Sequence, residues 1–251
     1  KNTPVEINEI EVPIKIKRYG LAKDSGGAGK YRGGTAIEMW FEALAPNTRV
    51  TARNMDRTRF TSWGVQNGRA GAPSYFLLNP NTNSERNLGN LDFIKIGPGD
   101  VVHVASGGAG GWGNPLERDI DAVFQDVKRG FVSHKSALED YGVVISNESY
   151  DLKATEKRRS ELMDSFADND FFDYGVGRIE YEKIWNKANY DTLTKILARI
   201  PIHWRFFIKH RIFEMVGNQE TLDSGEKIST YFEGLLTEFP QLEETLRKET
   251  D

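Results

Sequence analysis

The spacing of apolar positions changes partway along this 251-residue chain. Over Glu6–Arg18, the residues Ile7, Ile10, Val12, Ile14 and Ile16 come close to alternation between Ile10 and Ile16, set against Glu11, Lys15 and Lys17. Side chains of a strand face opposite ways in turn, so this pattern predicts a half-buried strand. Pro13 has no N–H for a ladder, which puts the strand at an edge or a bulge. Thr35–Leu44, Arg49–Asn54, Tyr75–Leu78, Phe93–Ile96 and Val101–Ala105 are further strand candidates, the last preceded by the turn cluster Gly97-Pro98-Gly99-Asp100. Short strands separated by Gly/Pro turns predict a sandwich- or barrel-like β region.

Beyond Asn114 the period becomes helical. Ile120, Val123, Phe124 and Val127 fall at i, i+3, i+4 and i+7, with Asp119 as N-cap and Gly130 as stop. Ser133 caps a second helix with Ala137, Leu138 and Tyr141 on its buried face, ended by Gly142, and Val143-Val144-Ile145 is a short strand. From Leu152 the chain reads as mostly α. Ile179–Lys187 and Tyr190–Arg199 are amphipathic, with Leu193, Ile196, Leu197 and Ile200 in one stripe. Pro201 opens the aromatic and basic segment His203–Val216, and Leu222–Phe239 is a last helix with a break expected near Gly225. Asp164–Gly177 reads as a linker. The resulting class is α+β, with residues 1–163 β-rich and then helix–turn–helix, and residues 164–251 a helical extension.

Glycine sharpens this division, because 17 of the 24 glycines precede Asn114. Two stretches concentrate them: Asp24-Ser25-Gly26-Gly27-Ala28-Gly29-Lys30-Tyr31-Arg32-Gly33-Gly34, and its echo Ser106-Gly107-Gly108-Ala109-Gly110-Gly111-Trp112-Gly113-Asn114-Pro115. Two readings stand. Either the glycines serve tight turns and close backbone approach, or uncovered main-chain N–H groups cradle an anion or substrate. A nucleotide P-loop does not fit, since Tyr31 follows Lys30 where Ser or Thr is required, and no dinucleotide fingerprint opens a helix. Arg53, Arg57 and Arg59 around Asp56 would clamp a carboxylate or phosphate, or form a solvated loop of weak ion pairs.

Composition removes several classes of function. The net charge is −4, against a nucleic-acid binder. There is no cysteine, hence no disulfide or thiolate chemistry. No run of 18 apolar residues appears, so neither a membrane span nor a membrane partner is expected, and a cytoplasmic location is. The four histidines are scattered without metal-ligand spacing, and no G-x-S-x-G nucleophile motif occurs. The start at Lys1 points to a processed chain or one part of a longer protein.

Several words in order carry a resemblance. They are Asn2-Thr3-Pro4-Val5-Glu6, Tyr19-Gly20, Asp24–Gly29, Arg32-Gly33-Gly34, Asp56-Arg57, Trp63-Gly64, Gly71-Ala72-Pro73, Pro98-Gly99-Asp100, Gly107–Asp119 and Tyr141-Gly142-Val143-Val144. Together they resemble the carboxyl-terminal portion of the hydantoinase B / 5-oxoprolinase family. The resemblance implies an enzyme that uses ATP either to carboxylate a ketone with bicarbonate or to hydrolyse a cyclic amide. It implies a hydantoinase A-like ATP-binding subunit and an amino-terminal metal-binding part of the B-like subunit as partners, with a small third subunit in some assemblies. The metal-site pattern of that amino-terminal part is absent from this sequence. No cofactor is therefore assigned to this chain, and ATP/Mg and a divalent Mn or Zn are expected on residues outside it.

The helical end is more similar to the acetone carboxylase α-type subunits than to simple hydantoinases. The expected function is thus part of the large metal-bearing subunit of an ATP-dependent carboxylase for acetone or a similar ketone, inactive alone. The alternatives are part of a cyclic amide hydrolase for hydantoin, oxoproline or a lactam, and a non-catalytic assembly module. Catalytic residues are not assigned. The substrate-binding candidates are Asp24, Ser25, Gly26, Gly27, Arg32, Arg57, Gly108 and Gly110, with Asp24, Arg32 and Arg57 positioning the substrate.

Overall fold

A computed structural model of the chain describes residues 3–52, 56–89, 91–146, 149–165, 171–217, 222 and 225–242. It divides into two units, Lys1–Gly177 and Arg178–Asp251. The class is α+β.

The first unit opens with helix α1 (Val5–Glu11), followed by strand β1 (Ile14–Leu21). Half of the strand expected over Glu6–Arg18 is therefore helical. Pro4, with φ −55°, takes the N-cap position, and the helix has already closed at Val12 before Pro13, whose ring disfavours helical backbone in the preceding residue. The apparent alternation from Ile10 to Ile16 joined the end of a helix to the start of a strand. None of the α1 residues is buried, so no core face decided the matter.

Strands β2 (Ile37–Ala43), β3 (Thr48–Ala52), β4 (Gly64–Val65), β5 (Tyr75–Leu78), β6 (Arg86–Asn87), β7 (Leu91–Ile96) and β8 (Val101–Ala105) follow. Five of them form a sheet in the order β1-β2-β8-β5-β6, with antiparallel neighbours. Strand β1 lies at the edge of this sheet, one of the two outcomes expected from Pro13, and its register shifts farther along, between Ile16 and Arg18. The β3–β7 pair forms a second layer. Its Val50, Leu91, Ile94 and Ile96 pack on Phe41, Ala43, Phe76, Leu78 and Val102 of the large sheet, which makes this part sandwich-like.

Helices α2 (Ile120–Lys128) and α3 (His134–Glu139) begin at the expected caps. Asp119 Oδ1 accepts from the Ala122 N–H at 2.8 Å, and Ser133 Oγ from the Ser136 N–H at 3.0 Å. They build a core of Val123, Val132, Ala137, Tyr141 and Val143 with Ala28. Leu138 is exposed instead of lining that core, because α3 ends at Glu139 and the chain then turns Tyr141 inward. The strand expected at Val143–Ile145 shrinks to β9 (Ile145–Ser146), paired with β10 (Ser149–Tyr150). After α4 (Leu152–Ser165), β11 (Phe172–Asp173) pairs with β4, so residues 171–177 of the stretch read as linker belong to the first unit.

Helix α5 (Val176–Ile184) leads into α6 (Lys187–Arg199), α7 (Ile202–Val216) and α8 (Glu226–Glu238). Within the second unit Leu193, Ile196 and Ile200 are buried among Ile208, Ile212, Val216, Ile228 and Leu235. Pro201 is the N-cap of α7 rather than its first helical residue, and α8 starts after Gly225. Asn189 is buried, and its Nδ2 donates to the Ile184 and Leu222 carbonyls, tying the end of α5 and the backbone at Leu222 to α6.

Candidate functional site

Three glycine-bearing segments, residues 24–34, 61–73 and 106–115, meet backbone to backbone. Their hydrogen bonds explain how. The Gly27 N–H donates to the Ala109 carbonyl at 2.8 Å, Gly33 to Gly27 at 2.9 Å, Arg69 to Ala28 at 2.7 Å, Gly108 to Ala72 at 3.0 Å and Gly111 to Arg69 at 2.9 Å. The main chains approach so closely that no side chain fits between them. A Cβ on Gly108 or on Gly110 would lie 1.7 Å from the carbonyl oxygen of Ser25 or Trp63, and one on Gly27 would lie 2.1 Å from that of Arg69. Of the two readings of these runs, close backbone approach is what the amides of Gly27, Gly33 and Gly108 serve. They are taken up internally and are not uncovered donors. Gly33 and Gly110 are not at positive φ, so space and not conformation excludes a side chain there.

One side of this weave forms a polar recess of about 330 Å³. Asp24, Gly26 and Gly27 line it with Arg69, Lys135, Ser136 and Asp140. Asp24 is held in left-handed backbone, φ 58°, by a bond from its N–H to the Phe131 carbonyl, and its Oδ1 accepts from the Ser133 N–H at 2.7 Å. That pair clamps the first glycine run to the start of α3. Desolvation raises the Asp140 carboxyl above its usual range, opposed by the Ser136 hydroxyl that donates to it and by Arg69.

The other candidates are placed differently. Ser25 is buried, its Oγ donating to the Ala22 carbonyl at 2.6 Å and accepting from the Ala36 N–H at 2.7 Å. Arg32 turns to α2, where Nε and Nη2 meet Asp126 Oδ2 and Oδ1 at 2.9 and 3.3 Å, while Phe131 lies under the guanidinium. Asp126 also holds Arg118 at 2.9 Å. Arg57 is exposed, at φ 61°, and its side chain runs beside Gly107. It does not line the recess that Asp24 lines, and Arg53 lies outside the described residues.

Spacing did not reveal a polar cluster on the opposite face of the large sheet. His103 Nε2 lies 2.9 Å from Glu38 Oε2 and 3.1 Å from the Tyr75 hydroxyl, with Trp40 stacked on the imidazole at 3.9 Å. Arg18 Nε meets the other Glu38 oxygen at 2.7 Å. Burial lowers the His103 pKa despite the Glu38 carboxylate. The available signal was alternation: Glu38, Trp40 and His103 sit at the polar phase of β2 and β8. Among the described residues no three His, Asp or Glu side chains converge in a metal-binding group. No described helix is long and apolar enough to cross a membrane.

Residues 1–115 match the family model described as Hydantoinase B/oxoprolinase. An uncharacterised protein of Methanocaldococcus jannaschii is 38% identical over 63% of this chain and 28% of its own length. The caprolactamase subunit beta of Pseudomonas jessenii is 34% identical over 62% of this chain and 28% of its own. A crystal structure of the ATP-dependent caprolactamase from that organism superposes with TM-score 0.50 and 30% identity, over 62% of this chain and 28% of the other. A nucleotide-free acetone carboxylase structure matches with TM-score 0.50 over 90% of this chain and 35% of its own, at 17% identity, a likeness of fold alone. The chain thus spans less than a third of the length of these two curated relatives. Over residues 1–115, a little under half of its length, the chain is similar to the hydantoinase B/oxoprolinase family.

Proposed function

We propose that this chain is the carboxyl-terminal part of the large, metal-bearing subunit of an ATP-dependent carboxylase acting on acetone or a similar ketone with bicarbonate. One observation carries the reading. The first unit is residues 1–177, so a fold match covering 90% of the 251-residue chain extends into the helical unit, and that match is to an acetone carboxylase. The caprolactamase structure matches 62% of the chain.

In this reading the glycine weave forms a stiff wall. Its closely packed main chains hold Asp24, Gly26 and Gly27 at the recess without side chains that move. Arg32 acts through Asp126 and keeps the first glycine run registered on α2, so it is a positioning residue. ATP, Mg and a Mn or Zn ion are held by residues outside this chain, on the amino-terminal part of the B-like subunit and on a hydantoinase A-like partner, with a small third subunit where one exists.

A second reading, part of an ATP-dependent cyclic amide hydrolase, is supported by the 34% identity to the caprolactamase subunit beta. ATP turnover by the native assembly separates the two. Consumption that requires acetone and bicarbonate together supports the carboxylase. Consumption with caprolactam, hydantoin or oxoproline in bicarbonate-free buffer refutes it in favour of the hydrolase. An assembly with no ATP-dependent turnover of either kind leaves the chain as an assembly module.

A further inference from the structure

Four short backbone segments lie side by side at the rim of the glycine weave. Tyr31 and Trp112 exchange both main-chain hydrogen bonds, at 3.0 and 2.9 Å. Trp112 also bridges Val65 in parallel, and Val65 on β4 pairs with Phe172 on β11. Residues paired across strands point their side chains to the same face, and so do residues two apart along one strand. Register therefore puts Tyr31, Trp112, Val65 and Phe172 on one face, and Trp63 and Tyr174 continue it. The rings meet accordingly. Tyr31 lies 5.5 Å from Trp112, and Trp63 lies 5.7 Å from Phe172 and 5.2 Å from Tyr174. All six residues belong to the first unit.

Alternation sends the charges of these segments the other way. Lys30 meets Glu117 at 3.0 Å, and Arg32 meets Asp126 on α2. Asp173 accepts from the N–H groups of Ala70 and Gly175, each at 2.9 Å. The aromatic face is left without a charge among its six residues, and it is open. Tyr31 is 63% exposed, Trp63 54%, Trp112 45% and Tyr174 42%, while Phe171, also exposed, packs beside Phe172 at its end.

Single exposed aromatics need no explanation, but a contiguous set does. An aromatic side chain buries about 150–250 Å² when fully covered, so five that are about half exposed still offer on the order of 500 Å². A standard interface covers about 800 Å² per partner, of which about 65% is apolar in homodimers, again about 500 Å². The face thus has the size and the tyrosine and tryptophan content of the apolar centre of a protein interface. Its lack of charge favours a copy of itself. Charged patches select foreign partners by complementarity, and self-contact of such a patch would oppose like charges. An uncharged face meets its own copy without that cost, and one two-fold contact covers the rings of both.

We propose that this chain self-associates through the aromatic face, as a two-fold dimer in which Tyr31, Trp63, Trp112 and Tyr174 of one copy pack against the same four residues of a second. The proposal does not depend on the reaction the full assembly performs.

The test is sedimentation velocity of the whole chain from about 0.1 to about 100 µM, with tryptophan emission read on the same samples. Wild type is expected to pass from the monomer to twice its mass as the concentration rises, with a blue shift of the emission as Trp63 and Trp112 leave water. Trp63→Glu sets a carboxylate on the face of each copy and is expected to weaken the dimer about 30-fold or more. Tyr31→Glu repeats the change on a different segment, so that the loss does not hang on one fold-sensitive site. Phe93→Glu charges an exposed aromatic on β7, outside the four segments, and is expected to leave the dimer intact. A wild-type chain that stays monomeric over the whole range overturns the proposal and leaves the face to a different polypeptide. A dimer that both Trp63→Glu and Tyr31→Glu leave intact, or that Phe93→Glu dissolves as readily, overturns it too.

Discussion

Replacing Gly108 by alanine tests the weave most directly. The added Cβ would sit 1.7 Å from the Ser25 carbonyl oxygen, with the Ser25 carbonyl carbon at 2.5 Å. An ordinary contact needs about twice that distance, so one main chain has to retreat by more than about 1 Å from a neighbour it is bonded to, beyond what side-chain rotation can relieve. Overpacking alone costs about 1–3 kcal/mol. Separation also strains the bonds from the Gly108 N–H to Ala72 and from the Ala72 N–H to Ser25, 3.0 and 2.9 Å long, each worth about 1 kcal/mol. The expected loss is about 3–5 kcal/mol, or a fall of roughly 10 °C in the calorimetric transition of residues 1–177. Gly34→Ala is the matched control. It lies in the same run, is exposed, and its Cβ would meet only the Ala109 Cβ at 3.9 Å, so its effect stays within about 1 kcal/mol and trends towards stabilisation. Equal melting of the two variants would refute the claim that the glycines exist for backbone approach. It would return the runs to flexible loops.

Other perturbations follow from the same geometry. Asp126→Asn leaves Arg32 and Arg118 buried without a carboxylate and is expected to lower urea stability by about 3–5 kcal/mol; a loss under 1 kcal/mol would show that the cluster is hydrated. Burial depresses the folded pKa of His103 below the ordinary imidazole value of about 6.5, so the native state binds fewer protons than the unfolded chain just below that pH. The associated stability is present above about pH 6.5 and is lost as the pH falls towards the folded value, and His103→Leu should flatten that part of a urea-midpoint profile. In the helical unit, Asn189→Ala strips the Ile184 and Leu222 carbonyls of their donor and is expected to cost about 2–3 kcal/mol, read by hydrogen exchange of α6.

Elements governed by neighbours in sequence were legible from the chain. The caps at Asp119 and Ser133, the apolar faces of α2 and α6, and the strands Tyr75–Leu78 and Val101–Ala105 depend on period and on bonds spanning three or four residues. The ordered glycine words carried the family resemblance, and Asp24, Gly26 and Gly27 do line one recess. What those words do was hidden. Whether a glycine amide is uncovered or bonded depends on a segment 40 to 80 residues away, as the Gly27–Ala109 and Arg69–Ala28 bonds illustrate. Helix α1 was misread because its Ile7 and Ile10 are exposed and no burial reinforces the helical phase.

Charge pairing divides along the same line. A run of arginine and aspartate names possible partners but not which ones meet. Arg32 found Asp126 across 94 residues of sequence, and Glu38 found His103 across 65, because sheet register and helix docking brought them to one place. The chain alone thus determined its periods, its turns and its likeness to the hydantoinase B/oxoprolinase family over residues 1–115, since these rest on local dihedrals and side-chain type. The roles of its glycines, arginines and buried tyrosine were decided only by the tertiary structure, where desolvation and excluded space act between segments that sequence keeps far apart.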